Sequence, residues 1–404
     1  MTAIDTLFRN ARLADGRIVD IAVGGGRIVA IGPSQNHAAI GQIYDLGRRL
    51  VLPGLVDGHI HLDKGFVGDT WKSHRPCTAG FSVRERVQFE KEALATAKPI
   101  ATRAAAMIDL CVSHGTTQMR SHVDVDAGIG LSHLEQVLVA REAHRDKVSV
   151  QVVAFPQSGI SSSPGTAELL DEAVRAGADL VGGLDPAGYD ADTEGHLDVI
   201  FGIADRRGVG IDIHLHDGGL PGISEIEDIA RRTKALGLGG KVTISHAYAL
   251  GEVSRDIVQR TAHLLAEAGV AILTNAPGAH AFPPVLLLRE AGVNVFAGND
   301  NIRDSWWPYG DGDLLERAMI VGYRSGFNTD AQLATALDMV TTHAARALGL
   351  ANYGLVEGGA ADFLVLDAQH VQEAVVARPK PRDVYKNGRL VARAGAVVKS
   401  ARNQ

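Results

Sequence analysis

The residues best able to do metal chemistry fall at the ends of apolar runs. One run closes on His59-Ile60-His61, another on His214-Leu215-His216-Asp217, a third on Ser245-His246 and a last on Asn299-Asp300-Asn301. Side chains at i and i+2 of a strand point to the same side. His59 and His61 can therefore face one ion, and His216 shares a face with His214. Three imidazoles and one carboxylate gathered from such ends make a divalent-metal site with an open position for water. A single H-x-H is a weak sign, because a lone strand-end histidine is more often hydrogen-bonded in a core or loop. The weight comes from ligand types recurring at three run ends in a chain with 16 histidines.

Such groups need a scaffold that brings distant run ends together. Eight β-rich apolar runs lie at 49–61, 116–126, 148–155, 178–185, 209–216, 240–247, 269–275 and 292–300. Several are continuously apolar, as suits parallel strands buried on both faces. Between them, stretches such as 167–178 and 256–269 carry apolar residues at helical spacing, and several end on a capping Gly. Alternation of this kind predicts an α/β fold, a (β/α)8 TIM barrel with its chemistry at the C-terminal strand ends. Residues 4–52 and 361–400 read instead as short strands joined by Gly turns, with the similar phrases NARLADGRIV and KNGRLVARAGAVV. Both termini are thus expected to build one small β-sandwich domain, 1–53 with 351–404, leaving 54–350 for the barrel.

Composition removes several function classes. Among 404 residues, 40 Lys and Arg stand against 47 Asp and Glu, a net charge of −7. There is no basic excess to neutralise phosphates, so nucleic acid is not the expected partner. No apolar run approaches the ~20 residues a membrane helix needs. The opening MTAIDTLFRN has an acid at Asp5 and no apolar core, unlike a signal peptide. Cys77 and Cys111 form neither a C-x-x-C pair nor a disulfide framework, which makes the cytoplasm the expected compartment.

Several phrases go further. LPGLVDGHIHLDK (52–64), RSHVDVD (120–126), VVAFPQSGI (152–160), DIHLHD (212–217), TISHAYAL (243–250) and NDNIRDSWWPYG (299–310) resemble the amidohydrolase superfamily. They are most similar to its cytosine deaminase branch and, within it, to the subgroup of the s-triazine pathway. The likeness extends to GGAADFLVLD (358–367), where these proteins return to their β-sandwich. The resemblance implies one divalent ion, Zn2+ or Fe2+, held by His59, His61, His214 and Asp300. It implies that His246, with Asp300, orients and deprotonates the attacking water. It also implies that Gln157 hydrogen-bonds the substrate ring and that Trp306 lies beside it, with Phe155 available for the other face. The expected activity is hydrolytic removal of an amino or alkylamino group from a planar heterocycle, a cytosine-like pyrimidine or an aminotriazine, by a homo-oligomer.

One position departs from the branch: Asp217 stands where cytosine deaminases carry the Glu that protonates the ring. Asp is one methylene shorter, which sets its carboxyl ~1.5 Å back. Asp217 is either a proton shuttle for a bulkier or shifted substrate, or a structural carboxylate. No lysine occurs between Lys147 and Lys234, so the carboxylated lysine that bridges two metals in many relatives is excluded and one ion is expected. The H-x-E and P-C-x-x-C pair of cytidine-deaminase zinc folds is absent. His122, Asp124 and Asp126 either line the pocket or support ligands. Lys64 either touches substrate or pairs with Asp63, and His216 either holds Asp217 or touches substrate. His343 reads as a buried or capping histidine. The rival readings are a mononuclear hydrolase of cyclic or exocyclic amides and a metal-free structural relative.

Overall fold

The structure, a computed structural model, describes residues 4–33 and 40–398. The stretches 1–3, 34–39 and 399–404 of the expected terminal domain lie outside the described residues. Before the barrel come β1 (Ile4–Arg12), β2 (Ile18–Gly24), β3 (Arg27–Gly32), β4 (Ile40–Asp45) and β5 (Leu50–Pro53). The barrel strands are β6 (Leu55–Ile60), β7 (Thr116–Asp124), β8 (Ser149–Phe155) and β9 (Leu180–Leu184). They continue with β10 (Gly210–Leu215), β11 (Val242–His246), β12 (Ala271–Leu273) and β13 (Val295–Phe296). The chain ends in β14 (Phe363–Leu366), β15 (Asp383–Lys386), β16 (Arg389–Arg393) and β17 (Ala396–Val397).

β6 to β13 pair in sequence order, each parallel to the next. A parallel bridge between Ile60 and Asp300 joins the last strand's extension to the first and closes the barrel. Every residue of β6 and β9 is buried, as both faces of an enclosed parallel strand must be. Helices wrap the outside with their apolar stripes inward. In Thr193–Arg207, for example, Leu197, Ile200, Phe201 and Ala204 are buried, the Asp192 side chain caps the N-terminus and Gly208 ends the helix in a left-handed turn. Among the described residues no helix is long and apolar enough to cross a membrane.

The run 49–61, which reads as one strand, is two. β5 pairs antiparallel with β14 in the terminal sheet, whereas β6 opens the barrel, and the change of sheet falls at Gly54. Hydrophobicity is continuous across this point because both strands are buried, so the pattern alone does not reveal the switch. The terminal sheet hydrogen-bonds both ends of the chain into one unit, running β17-β16-β15-β14-β5-β1-β2-β3, with β4 also paired to β1. Phe8, Phe363 and Tyr385 pack ring on ring at 4.7–4.9 Å in its core. Buried ions bind this sheet to the barrel side: Arg382 grips Asp313 at 2.7 and 2.9 Å and donates to the His114 carbonyl at 2.8 Å.

Candidate metal centre and active-site cavity

The barrel closure assembles the site. Asp300 lies beyond β13, and its N–H donates to the His59 carbonyl at 2.7 Å. That bond sets its carboxylate Oδ1 3.2 Å from His61 Nε2 and 3.5 Å from His59 Nε2. His214, at the end of β10, brings its Nε2 to 3.4 Å from His61 Nε2. Four bonds of 2.0–2.1 Å to a tetrahedral ion would place ligand atoms about 3.3 Å apart. The observed spacing fits such a group. The His59 Nε2 atom is also buried without a hydrogen-bond partner, a state that a cation would relieve.

The surrounding residues fix how these rings present themselves. Arg120 Nη1 donates to Asp212 Oδ2 at 3.0 Å, and the Ser245 hydroxyl donates to Asp212 Oδ1 at 2.7 Å. With its proton committed, Ser245 Oγ accepts from His59 Nδ1 at 3.0 Å. His59 must then carry its proton on Nδ1, leaving the Nε2 lone pair aimed at the site. Burial, reinforced by the neighbouring imidazoles, holds His59 and His214 well below the ordinary histidine range. The same causes bring His246 down to about 3. Neutral imidazoles are what metal ligation requires. Against the opposing effect of burial, hydrogen bonding from His61 and the nearby imidazoles keep Asp300 ionised, at about 2. Asp185, His246 and Asp300 all have left-handed backbone, with φ of 35°, 73° and 59°. Strain of this sort, concentrated at one barrel mouth, is typical of functional sites.

Above these groups opens a cavity of about 100 Å3. Gln157, Phe155, Trp306, His216 and His246 line it, with Tyr248 and the His280 ring, stacked at 5.3 Å, nearer the entrance. Phe155, Gln157 and Trp306, expected beside a substrate ring, thus share the lining of one cavity. Trp306 Nε1 donates to Glu90 Oε2 at 2.6 Å. Glu90 and the cavity-lining Arg86 are four residues apart on the helix Val83–Leu94, and so share one face.

Three of the residues expected at the substrate, Asp217, His122 and Lys64, do not line the cavity. Asp217 turns out of the cavity: its Oδ2 accepts from the Gly188 N–H at 2.9 Å, and it hydrogen-bonds Glu225. The shorter Asp side chain is captured by this loop and helix before it can reach a ring. His122 lies behind the metal-site residues, stacked on His59 at 4.0 Å with Nε2 3.3 Å from Asp212. Lys64 is sealed beneath the cavity floor, bonded to Gln157 Oε1 and, at 2.9 Å, to Asp124 Oδ1. Asp63 pairs instead with His133 at 3.0 Å. Asp126 binds Lys91 and the Gly128 N–H, and His343 bonds Asn294, both away from the site.

His216 faces the cavity, and its partner is not Asp217. Its Nδ1 bonds Asp185 Oδ2 at 2.9 Å, and its ring stacks on His246 at 4.6 Å. Asp185 ends the fourth barrel strand, so strand-end position was the signal available for it. Asn275 ends the run 269–275 and carried the same signal, whereas Glu90, on a helix, and Tyr248, beyond β11, carried none. Asn275 Nδ2 donates to Asp300 Oδ2 at 2.7 Å.

The Amidohydrolase family profile matches residues 42–398. The chain is 34% identical over 402 residues to N-isopropylammelide isopropyl amidohydrolase of Pseudomonas sp. (strain ADP), covering 98% of each. It superposes on the solved structure of N-isopropylammelide isopropylaminohydrolase from Burkholderia multivorans ATCC 17616 with a TM-score of 0.93 and 44% identity, covering 98% of this chain and 100% of that one. Against 5-methylcytosine deaminase from Klebsiella pneumoniae liganded with 5-fluorocytosine, the TM-score is 0.85 at 28% identity, with 98% and 100% covered. On the breadth of these matches, the chain belongs to the Amidohydrolase family.

Proposed function

We propose that this protein hydrolytically removes an amino or alkylamino group from a planar nitrogen heterocycle, a cytosine-like pyrimidine or an aminotriazine, using one divalent cation, Zn2+ or Fe2+. The observation that carries the reading is the convergence of His59 Nε2, His61 Nε2, His214 Nε2 and Asp300 Oδ1, with neighbours 3.2–3.5 Å apart. These four residues would hold the ion. When bound, it supplies Lewis acidity and lowers the pKa of a water from about 15.7 toward ~7.

The chain's own groups supply the rest. Neutral His246, beside Asp300, accepts a proton from the attacking water as oxygen adds to the ring carbon. His216, braced by Asp185 through Nδ1, lines the cavity and in its protonated form gives a proton to the ring nitrogen. His246 then passes the proton it took to the departing nitrogen, and the hydroxyl proton of the adduct returns to His216 as the ring oxo group forms. The exocyclic C–N bond then breaks, releasing ammonia or an amine with the ring intact. Gln157 holds the ring's polar edge, while Phe155 and Trp306 cover its faces. Cys77 and Cys111 are both free thiols, which suits work in the cytoplasm. A homo-oligomer is the expected assembly, which sedimentation would test.

The test is a screen of cytosine, 5-substituted cytosines, isoguanine, creatinine and N-alkyl aminotriazines, with ammonia, amine and metal content measured. Amine release with about one metal per chain supports the reading. A new carboxylate, from an opened ring or a cleaved exocyclic amide, overturns it, as does full activity without metal.

A further inference from the structure

Lys64 is a buried cation that the proposed reaction does not use. It is 1% exposed. Its Nζ bonds Gln157 Oε1, lies 2.9 Å from Asp124 Oδ1 and 3.6 Å from Glu90 Oε2, and passes 5.1 Å from the Phe155 ring centroid. An ammonium group only donates hydrogen bonds. The Gln157 atom facing it must therefore be the carbonyl oxygen, which leaves the Nε2 amide with its two N–H donors for the cavity. Flipping the amide would press an NH2 against the ammonium and leave both sets of donors unsatisfied in a buried place. The same cation lies beside Glu90, whose Oε2 also accepts the Trp306 indole N–H at 2.6 Å. One charge thus ties the polar reader of the ring to its stacking wall.

We propose that Lys64 is a positioning residue that fixes Gln157 with its donor edge toward the cavity, so that the site selects a heterocycle whose recognised edge carries an oxo group. The inference rests on the reading that the cavity takes a planar heterocycle. It adds which edge is accepted and which residue decides it. A ring presenting an amino group at that edge would set donor against donor.

The experiment is calorimetric titration of the metal-loaded protein with uracil and with 2,4-diaminopyrimidine, with ammonia followed in parallel. The unmodified protein should bind uracil at least about tenfold more tightly. In Lys64→Met the ratio of the two dissociation constants should fall to near one, with metal content unchanged. The double variant Lys64→Met/Asp124→Asn removes the cation together with one of its carboxylates, so folding does not depend on tolerating an unpaired buried charge. It should lose the preference equally. Gln157→Glu keeps Lys64 paired but offers only acceptors, and should reverse the preference. A ratio unchanged in both Lys64 variants, or no reversal in Gln157→Glu, overturns the inference and leaves the deaminase reading standing. Binding of neither ring by the unmodified protein overturns the inference together with the pyrimidine arm of the deaminase reading.

Discussion

Gly298 packs directly on the backbone of His59: a β-carbon at position 298 would stand 2.7 Å from the His59 carbonyl oxygen and closer still to its nitrogen. This bare contact lets the eighth strand approach the first until Asp300 N–H reaches His59 O at 2.7 Å. Gly298→Ala should therefore force the two strands apart, costing about 1–3 kcal/mol of stability and spreading the four donor atoms. Thermal denaturation with metal analysis checks this. A variant that keeps one metal per chain and full activity would show that the approach is not needed.

Ser245 is the link that decides which nitrogen of His59 is free. Ser245→Ala removes the acceptor for Nδ1 while leaving all four donor residues in place. Metal affinity should fall about 10- to 100-fold, measured by competition with a chelator, with little change in cooperative unfolding. An unchanged affinity would mean that packing alone orients the ring.

His216 and Asp217 are neighbours with opposite placements, one lining the cavity and the other bound to Gly188 and Glu225. His216→Asn should lower kcat by about 10²–10⁴, whereas Asp217→Asn should alter it only a few-fold, both with metal retained. The opposite ranking would return the proton to Asp217.

His246→Ala should abolish turnover yet leave the metal bound, since the four proposed ligand residues stay in place. Turnover near the level of the unmodified protein would remove His246 from the chemistry.

Glu225 gives a pH signature away from the metal centre. Burial and then the adjacent Asp217 carboxylate push it up to about 8, against about 4.3 for a free Glu. A carboxyl with a raised folded-state pKa favours the protonated protein. Its stabilisation is complete below the unfolded pKa and is lost as pH rises through the folded one. The melting temperature should therefore decline from about pH 4 to pH 8 relative to Glu225→Gln, and run parallel to it above that range. Parallel curves throughout would mean that the Asp217–Glu225 pair holds no shared proton.

Much of the fold is legible from short-range pattern. Runs such as 178–185 and 269–275 alternate with stretches of helical periodicity, and strands buried on both faces explain their continuously apolar centres. The candidate metal donors are legible for a related reason: strand ends are where a barrel does its chemistry, and His59, His61, His214 and Asp300 lie at or just past them. The expected residues that do not line the cavity are held by partners the strand pattern does not show. Asp217 is turned by Gly188 and Glu225, His122 by Asp212 one strand-end network away, and Lys64 by Glu90 from a separate helix.

By itself, then, the sequence determined the eight-stranded alternation, the β character of both termini and which residues stand as candidate metal donors, because each depends on periodicity or residue type within a few positions. Tertiary structure alone decided which neighbours face the cavity, which nitrogen of His59 is free and which edge of Gln157 is offered. Those choices are made by buried hydrogen bonds between residues tens to hundreds of positions apart, at backbone turns where the alternation of a strand no longer dictates where a side chain points.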